Sequence, residues 1–119
     1  MIKSKKLGEL LKRELDDIEE VKAIMLVNKK GGVFSIGMNG GDAEMSKIYN
    51  VSSILVSTFC EYSSRNQAIK DLYLECSNGK FIIGHSNLKN LLLVVWFDYS
   101  ASIGKVHLKF NNINNALIW

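Results

Sequence analysis

The amino-acid sequence predicts a mixed α/β (α+β) protein in which helices cover both faces of one sheet. Apolar residues follow helical spacing in three segments, and they alternate or run continuously in five short ones. The order is helix, two strands, long helix, three strands, helix. The run Leu91–Phe97 is continuously apolar, which is expected of an inner strand covered on both faces. We expect one domain over residues 1–119, because no repeat or linker marks a boundary.

The N-terminal third predicts a helix followed by a hairpin. The helix covers residues 4–19, and its apolar side chains recur at spacings of four, four and three residues, so they share one face. Charged residues occupy the other face, which we interpret as solvated. Strands are then predicted at Val21–Val27 and Val33–Met38, joined by the turn sequence NKKGG.

The middle of the chain predicts a long helix from Asp42, in the position of an N-cap, to Arg65. Its 24 residues contain no glycine or proline, and a strand of this length would be unusual. Two apolar stripes and one flanking residue together cover more than half of the helix circumference. The first stripe is Ile48, Val51, Leu55, Phe59 and Tyr62; the second is Met45, Tyr49 and Val56; Ile54 flanks the first.

The second helix therefore carries more apolar surface than its own sheet should cover. A surface helix needs an apolar stripe only somewhat wider than about 100°. Twenty-four helical residues span about 36 Å, whereas five strands make a sheet about 24 Å wide. We expect a second copy of the chain to cover the surplus.

The C-terminal half predicts three more strands and a closing helix. The strands cover Ala68–Cys76, Lys80–His85 and Leu91–Phe97, with a turn at the sequence SNG. The closing helix is indicated by apolar residues that recur every three or four positions, namely Ile103, Val106, Phe110, Ile113 and Leu117.

The sequence contains no pattern that predicts catalysis, a cofactor or a metal. The two histidines, His85 and His107, lack partners at ligand spacing, and Cys60 and Cys76 form no CxxC. There is no nucleophile elbow and no phosphate-binding glycine motif. We therefore expect that the protein is not an enzyme.

Charge and cysteine usage limit the partners and the compartment. The net charge is only +3 and the basic residues are scattered, so no nucleic-acid partner is expected. The longest apolar run is far shorter than a membrane helix, so no membrane insertion is expected. Two cysteines without a preceding signal peptide suggest the cytoplasm.

Three stretches of the sequence are IEEVKAIMLVNKKGGVFSIG, LYLECSNGKFIIG and ASIGKVHLKFNNI. Together with the long helix, they resemble the roadblock family, which is related to dynein light chains. The resemblance implies a five-stranded antiparallel sheet with helices 1 and 3 on one face and helix 2 on the other. It also implies a homodimer formed through the edge strand and paired second helices. The function implied is binding and regulation or scaffolding of a small Ras-like GTPase.

Two sets of residues follow as candidate contacts. For the dimer interface they are Met45, Tyr49, Ser52, Val56, Phe59, Leu72, Tyr73 and Leu74. For the GTPase they are Lys47, Asn50, Ser57, Glu61 and Arg65. The alternatives are a subunit of a hetero-oligomeric roadblock complex and a profilin-like module that senses a small molecule. The latter needs a pocket between the sheet and helix 2, where tight packing is expected to leave no room.

Overall fold

The computed structural model describes residues 4–16, 20–38, 42–66, 68–77 and 79–117. The helices and strands follow the predicted order. They are α1 (Ser4–Asp16), β1 (Val21–Asn28), β2 (Val33–Met38), α2 (Asp42–Arg65), β3 (Asp71–Cys76), β4 (Gly79–His85), β5 (Leu91–Phe97) and α3 (Ile103–Ala116). Residues 17–19, predicted as the end of the first helix, lie outside the described residues.

The strands form one antiparallel sheet in the order β2-β1-β5-β4-β3. β5 is central and pairs with β1 on one side and β4 on the other. Its residues Leu92–Phe97 are all buried, because alternate side chains enter the cores on opposite faces of the sheet. The prediction of a doubly covered inner strand is confirmed.

Helices cover both faces of the sheet, as predicted. On one face, α1 contributes Leu11 and Leu15 to a core that it shares with α3. The α3 residues in this core are Val106, Phe110, Ile113 and, just beyond the helix, Leu117. On the other face, α2 contributes Ile48, Leu55, Val56 and Phe59 to a core that also contains buried side chains of β1, β4 and β5. The resulting arrangement is a three-layer α/β/α fold.

Two glycines mark places where backbones approach too closely for a side chain. A Cβ at Gly37 of β2 would lie 3.0 Å from main-chain atoms of Leu11 and Lys12, so α1 packs directly on the strand. Gly79 opens β4 with φ +135°, and a Cβ there would lie 2.4 Å from the carbonyl oxygen of Phe97. Glycine at position 79 therefore satisfies both a backbone conformation and a steric limit.

The predicted start of the third strand at Ala68 is wrong, because the N–H groups of Ala68 and Ile69 both donate hydrogen bonds to Asn66. The side-chain oxygen of Asn66 accepts a hydrogen bond from the Ala68 N–H at 3.0 Å. The Asn66 carbonyl accepts another from the Ile69 N–H at 3.1 Å. These local bonds compete with a sheet ladder, and β3 begins only at Asp71.

Polar contacts fix both ends of α3. At its start, the Ser102 hydroxyl accepts a hydrogen bond from the Lys105 N–H at 3.3 Å, as an N-cap does. Near its end, the side chain of Asn114 accepts from the Asn87 N–H at 2.8 Å and donates to the His85 carbonyl at 3.1 Å. Asn114 therefore ties the β4–β5 loop to α3.

Candidate protein-interaction surface

The strand β3 forms one edge of the sheet and pairs only with β4 among the described strands. An edge strand offers unpaired N–H and C=O groups to another chain. Leu72 and Cys76 of β3 pack into the core beneath α2. Leu74 lies between them on the same face but is 37% exposed.

The helix α2 lies over the β3 side of the sheet. It packs chiefly against β3, β4 and β5. At the other edge, Phe34 of β2 lies two residues from Ile36, which packs into the core beneath α2, yet Phe34 stays exposed. The helix therefore runs close to the free β3 edge and leaves the β2 end of the same face less covered.

One flank of α2 faces the β1–β2 turn and the other faces β3. The thiol of Cys60 lies 3.9 Å from the carbonyl oxygen of Lys29 in that turn, which orients the first flank. At about 100° per residue, Tyr62 lies on the opposite flank, and Ile54 lies about 80° from it, toward the outer face of the helix. Ile54 and Tyr62 are 63% and 53% exposed. Together with Leu74, they make an exposed apolar surface beside the β3 edge, here called the edge surface.

Several residues expected at a dimer interface lie elsewhere. Ser52, Val56 and Phe59 are at most 3% exposed, because they face the chain's own sheet. A second copy could not reach these three residues, and their assignment to a dimer interface is corrected accordingly. The sequence pattern could not separate the stripe that the subunit buries from the one that it leaves outside.

The other expected interface residues are divided among different surfaces. Tyr49 lies within about 20° of Cys60 around the helix, on the flank away from β3. Tyr73 faces the core shared by α1 and α3. Leu72 and Leu74 remain beside the β3 edge. Met45 belongs to α2, but its side chain lies outside the described part of the structure.

Ile54 and Tyr62 are not among the residues that the sequence predicted for the dimer interface. A partial signal was present, because both residues are large and apolar and lie on a helix whose apolar arc is too wide. Only the position of α2 over the sheet identifies them as the members of that arc that stay exposed next to β3.

The residues expected to contact a GTPase share the outer face of α2. They span about 80° of the helix circumference, and all five are exposed. These residues, here called the outer row, are Lys47, Asn50, Ser57, Glu61 and Arg65. The Arg65 guanidinium lies 3.1 Å from the Glu61 carboxylate, an exposed pair of the kind that contributes little to stability.

Charged and aromatic groups surround β3 on the face opposite α2. Lys80 lies 3.4 Å from the Glu75 carboxylate, and His107 lies 3.9 Å from that of Asp71. The Tyr73 hydroxyl donates a hydrogen bond to Glu75 at 3.4 Å. Burial, followed by the nearby negative charge of Glu75, raises the pKa of Tyr73 above its ordinary value. The hydroxyl therefore stays protonated as a donor near neutral pH.

A cavity of about 340 Å³ opens beside the C-terminal end of α2. It is bounded by the helix, the β1–β2 turn, the residues before β3, and the adjacent ends of β4 and β5. The lining residues are Lys29, Phe59, Cys60, Ser63, Ser64, Ile69, His85 and Leu92. The expectation that helix 2 would leave no room for a pocket is wrong at this end, because α2 lies toward β3.

Among the described residues, no group of three or more His, Cys, Asp and Glu side chains is arranged to hold a metal ion. His85 instead meets the edge of the Phe59 ring, with 5.1 Å between the ring centroids. None of the described helices combines the length and the hydropathy that crossing a membrane would require.

The fold was compared with known proteins. No family model matches the sequence, and no curated protein matches it. Among solved structures, MglB of Myxococcus xanthus has a TM-score of 0.73 and 18% identity, with 98% of this chain and 90% of that chain covered. The gliding protein MglB of Thermus thermophilus has a TM-score of 0.71 and 15% identity, over 96% and 87% of the two chains.

A third solved structure carries the name of the fold. The Roadblock/LC7 domain from Streptomyces avermitilis has a TM-score of 0.64 and 20% identity, and 94% of this chain and 98% of that chain are covered. All three similarities extend over nearly the whole chain and include the sheet and the helices on both of its faces. This chain therefore has the roadblock/LC7 fold.

Proposed function

We propose that the protein is a non-enzymatic scaffold or regulator that forms a homodimer and binds a small Ras-like GTPase in the cytoplasm. One roadblock domain over residues 1–119 would carry both contacts. The observation that carries the proposal is the edge surface, since Ile54, Tyr62 and Leu74 lie exposed beside the free strand β3. The GTPase partner is drawn from the family resemblance.

The dimer would use β3 and the adjoining flank of α2 together. A two-fold axis at β3 would pair the two edge strands antiparallel and continue the sheet from one copy into the next. It would also bring the β3 flanks of the two α2 helices toward each other. Ile54 and Tyr62 would then lose contact with water, which is the main driving force for association of apolar surfaces.

Substitution at the edge surface tests the dimer. Ile54→Lys and Tyr62→Lys place a charge where the second copy would pack, and both positions are exposed, so each variant should fold. We expect light scattering to give a dimer mass for the unmodified protein and a monomer mass for these variants. Leu108→Lys, at a 57% exposed apolar position on α3, is the matched control and should stay dimeric.

Two outcomes would contradict the dimer. One is a monomeric unmodified protein at every concentration measured. The other is an unchanged mass of both edge variants. Val56→Lys would be a poor test, because Val56 is buried against the sheet and the substitution would unfold the subunit.

The outer row would contact the GTPase. In the proposed dimer, Asn50, Ser57 and Glu61 point away from both the sheet and the partner helix and stay exposed. Lys47 and Arg65 lie between Ile54 and Tyr62 around the helix, at the border of the dimer contact. Such a platform could bind the segments of a GTPase that change order with the bound nucleotide. It could act by anchoring the partner or by ordering the partner's own catalytic groups.

Calorimetry tests whether the protein binds such a partner. The Ras-like GTPases of the host are each loaded with GDP or with a non-hydrolysable GTP analogue. We expect one of them to bind with an affinity that depends on the nucleotide, and Asn50→Arg to weaken that binding by steric and electrostatic mismatch. Asn112→Arg, at an exposed asparagine on α3, is the matched control. The proposal fails if no GTPase binds in a nucleotide-dependent way, or if the two variants behave alike.

A further inference from the structure

The cavity at the end of α2 has the dimensions of a small-ligand site. Its volume of about 340 Å³ lies at the lower end of the roughly 300–1,000 Å³ found for ligand pockets. At about 30 Å³ for each water molecule, it would hold about eleven waters. A molecule with about eight to ten non-hydrogen atoms would fit.

The floor of the cavity is apolar. Phe59 and Leu92 are at most 1% exposed, and Ile69 is half-buried beside them. The Phe59 ring packs against the His85 imidazole in a T-shaped arrangement. An apolar ligand body would replace water on this floor, which is favourable in proportion to the area covered.

The rim of the cavity is basic. Among the lining residues that the structure describes are Lys29 and His85 but no Asp or Glu. Lys29 lies in the short β1–β2 turn, where hydrogen bonds from the Lys30 and Gly32 N–H groups to the Asn28 side chain, each 2.9 Å, fix the backbone. Lys29 therefore borders the cavity from a fixed backbone, and its exposed side chain is long enough to bring the ammonium group to the mouth of the cavity.

Hydrogen bonds to three carbonyl groups in the last turns of α2 offset part of the negative charge at this end of the helix. The C-terminal end of a helix carries partial negative charge on its last carbonyl groups. Here the Ser63 hydroxyl donates to the Cys60 carbonyl at 3.5 Å and that of Ser64 to the Glu61 carbonyl at 2.7 Å. The Asn66 N–H donates to the carbonyl of Tyr62 at 3.0 Å.

From this geometry we propose that the cavity binds a small carboxylic acid with an apolar body, with the body on Phe59 and Leu92 and the carboxylate beside Lys29. The site shares no lining residue with the edge surface or the outer row. It therefore does not depend on the proposed dimer or GTPase contact, and it would give the protein a sensing function besides its scaffold function.

A titration of the intact protein with hexanoate, followed by ¹H–¹⁵N NMR spectra, tests the site. We expect saturable shifts at the amides of Ser63, Ile69 and His85 and little change elsewhere. Acetate, which lacks the apolar body, should cause no saturable shift. Hexanol and hexylamine should bind more weakly than hexanoate, because neither places a negative charge beside Lys29.

Two variants distinguish specific binding of hexanoate in the cavity from its non-specific adsorption to the protein surface. Lys29→Gln should weaken hexanoate binding roughly two- to five-fold, the range of an exposed ion pair, and leave hexanol binding unchanged. Lys30→Gln is the matched control, because Lys30 lies in the same turn but does not line the cavity. Ser63→Leu should fill the cavity and abolish binding of both probes.

The proposal is overturned by any of three results. Hexanoate could cause no saturable shift, or the shifts could map away from the cavity. Lys29→Gln and Lys30→Gln could weaken hexanoate binding equally, which would indicate non-specific attraction to a basic surface. Hexylamine could bind as tightly as hexanoate, which would rule out recognition of the carboxylate.

Discussion

Alanine substitution at three glycines separates backbone strain from steric overlap. Gly79 combines a positive φ of +135° with a Cβ position 2.4 Å from the Phe97 carbonyl oxygen. Gly31, in the β1–β2 turn, has φ +89° with no atom within 4 Å of a Cβ. Gly104 lies in α3 in open space and without positive φ. Gly79 therefore combines backbone strain with steric overlap, Gly31 has backbone strain alone, and Gly104 has neither.

The expected changes in the free energy of unfolding follow from these three environments. Forcing alanine into a disfavoured backbone region costs about 1–3 kcal/mol, so Gly31→Ala should lose about that much. Overlap with a fixed carbonyl adds about 1–3 kcal/mol, so Gly79→Ala should lose about 2–6 kcal/mol. Gly104→Ala should gain up to about 1 kcal/mol, because alanine restricts the unfolded chain and favours helix.

Urea unfolding followed by circular dichroism measures this order. The midpoint should rise slightly for Gly104→Ala, fall for Gly31→Ala and fall further for Gly79→Ala, while the slope with urea stays the same. Equal losses for Gly79→Ala and Gly31→Ala would refute the reasoning. Such a result would mean that the strand carrying Phe97 moves aside without cost and that β4 does not pack as tightly as the structure indicates.

Three further predictions concern single contacts of α3. Ser102→Ala should lower the free energy of unfolding by about 1 kcal/mol in urea melts, because it removes the N-cap. Asn114→Ala should cost about 1–2 kcal/mol and speed amide hydrogen exchange in the β4–β5 loop, which its side chain holds. The hydrogen bond from Lys105 lowers the pKa of Glu20 from its ordinary 4.5, so its stabilisation exists above pH 4.5 and is lost as pH falls through the lowered value. The difference in urea midpoint between the unmodified protein and Lys105→Gln should therefore shrink below pH 4.5, and a constant difference would exclude this pair as the source.

The helices and the inner strands were predictable from the sequence because their signals are local. The helical spacing of α3 and the continuous apolar run of β5 each report directly which faces are buried. The start of β3 was not predictable in this way. Ala68 fits the alternation of apolar residues in the strand. Its N–H group, however, donates a hydrogen bond to the Asn66 side chain, and the strand begins later.

The candidate surfaces were only partly predictable. The polar residues of the outer row share one face of a helix, and helical geometry alone groups them. The apolar residues of α2 are harder to assign, because Phe59 and Ile54 are equally suited to a core by composition. Phe59 is buried and Ile54 is exposed. Helical periodicity does not distinguish a buried from an exposed residue when the apolar arc is wider than the surface that the sheet covers.

The sequence by itself determined which segments fold, in which order, and that helices must cover both faces of the sheet. The tertiary structure decided where α2 lies across that sheet. Its displacement toward β3 leaves Tyr62 exposed near a free edge, and a cavity lined in part by Lys29 opens beside its C-terminal end. The position of a helix on a sheet results from the packing of many distant side chains at once, so no local pattern along the chain encodes it.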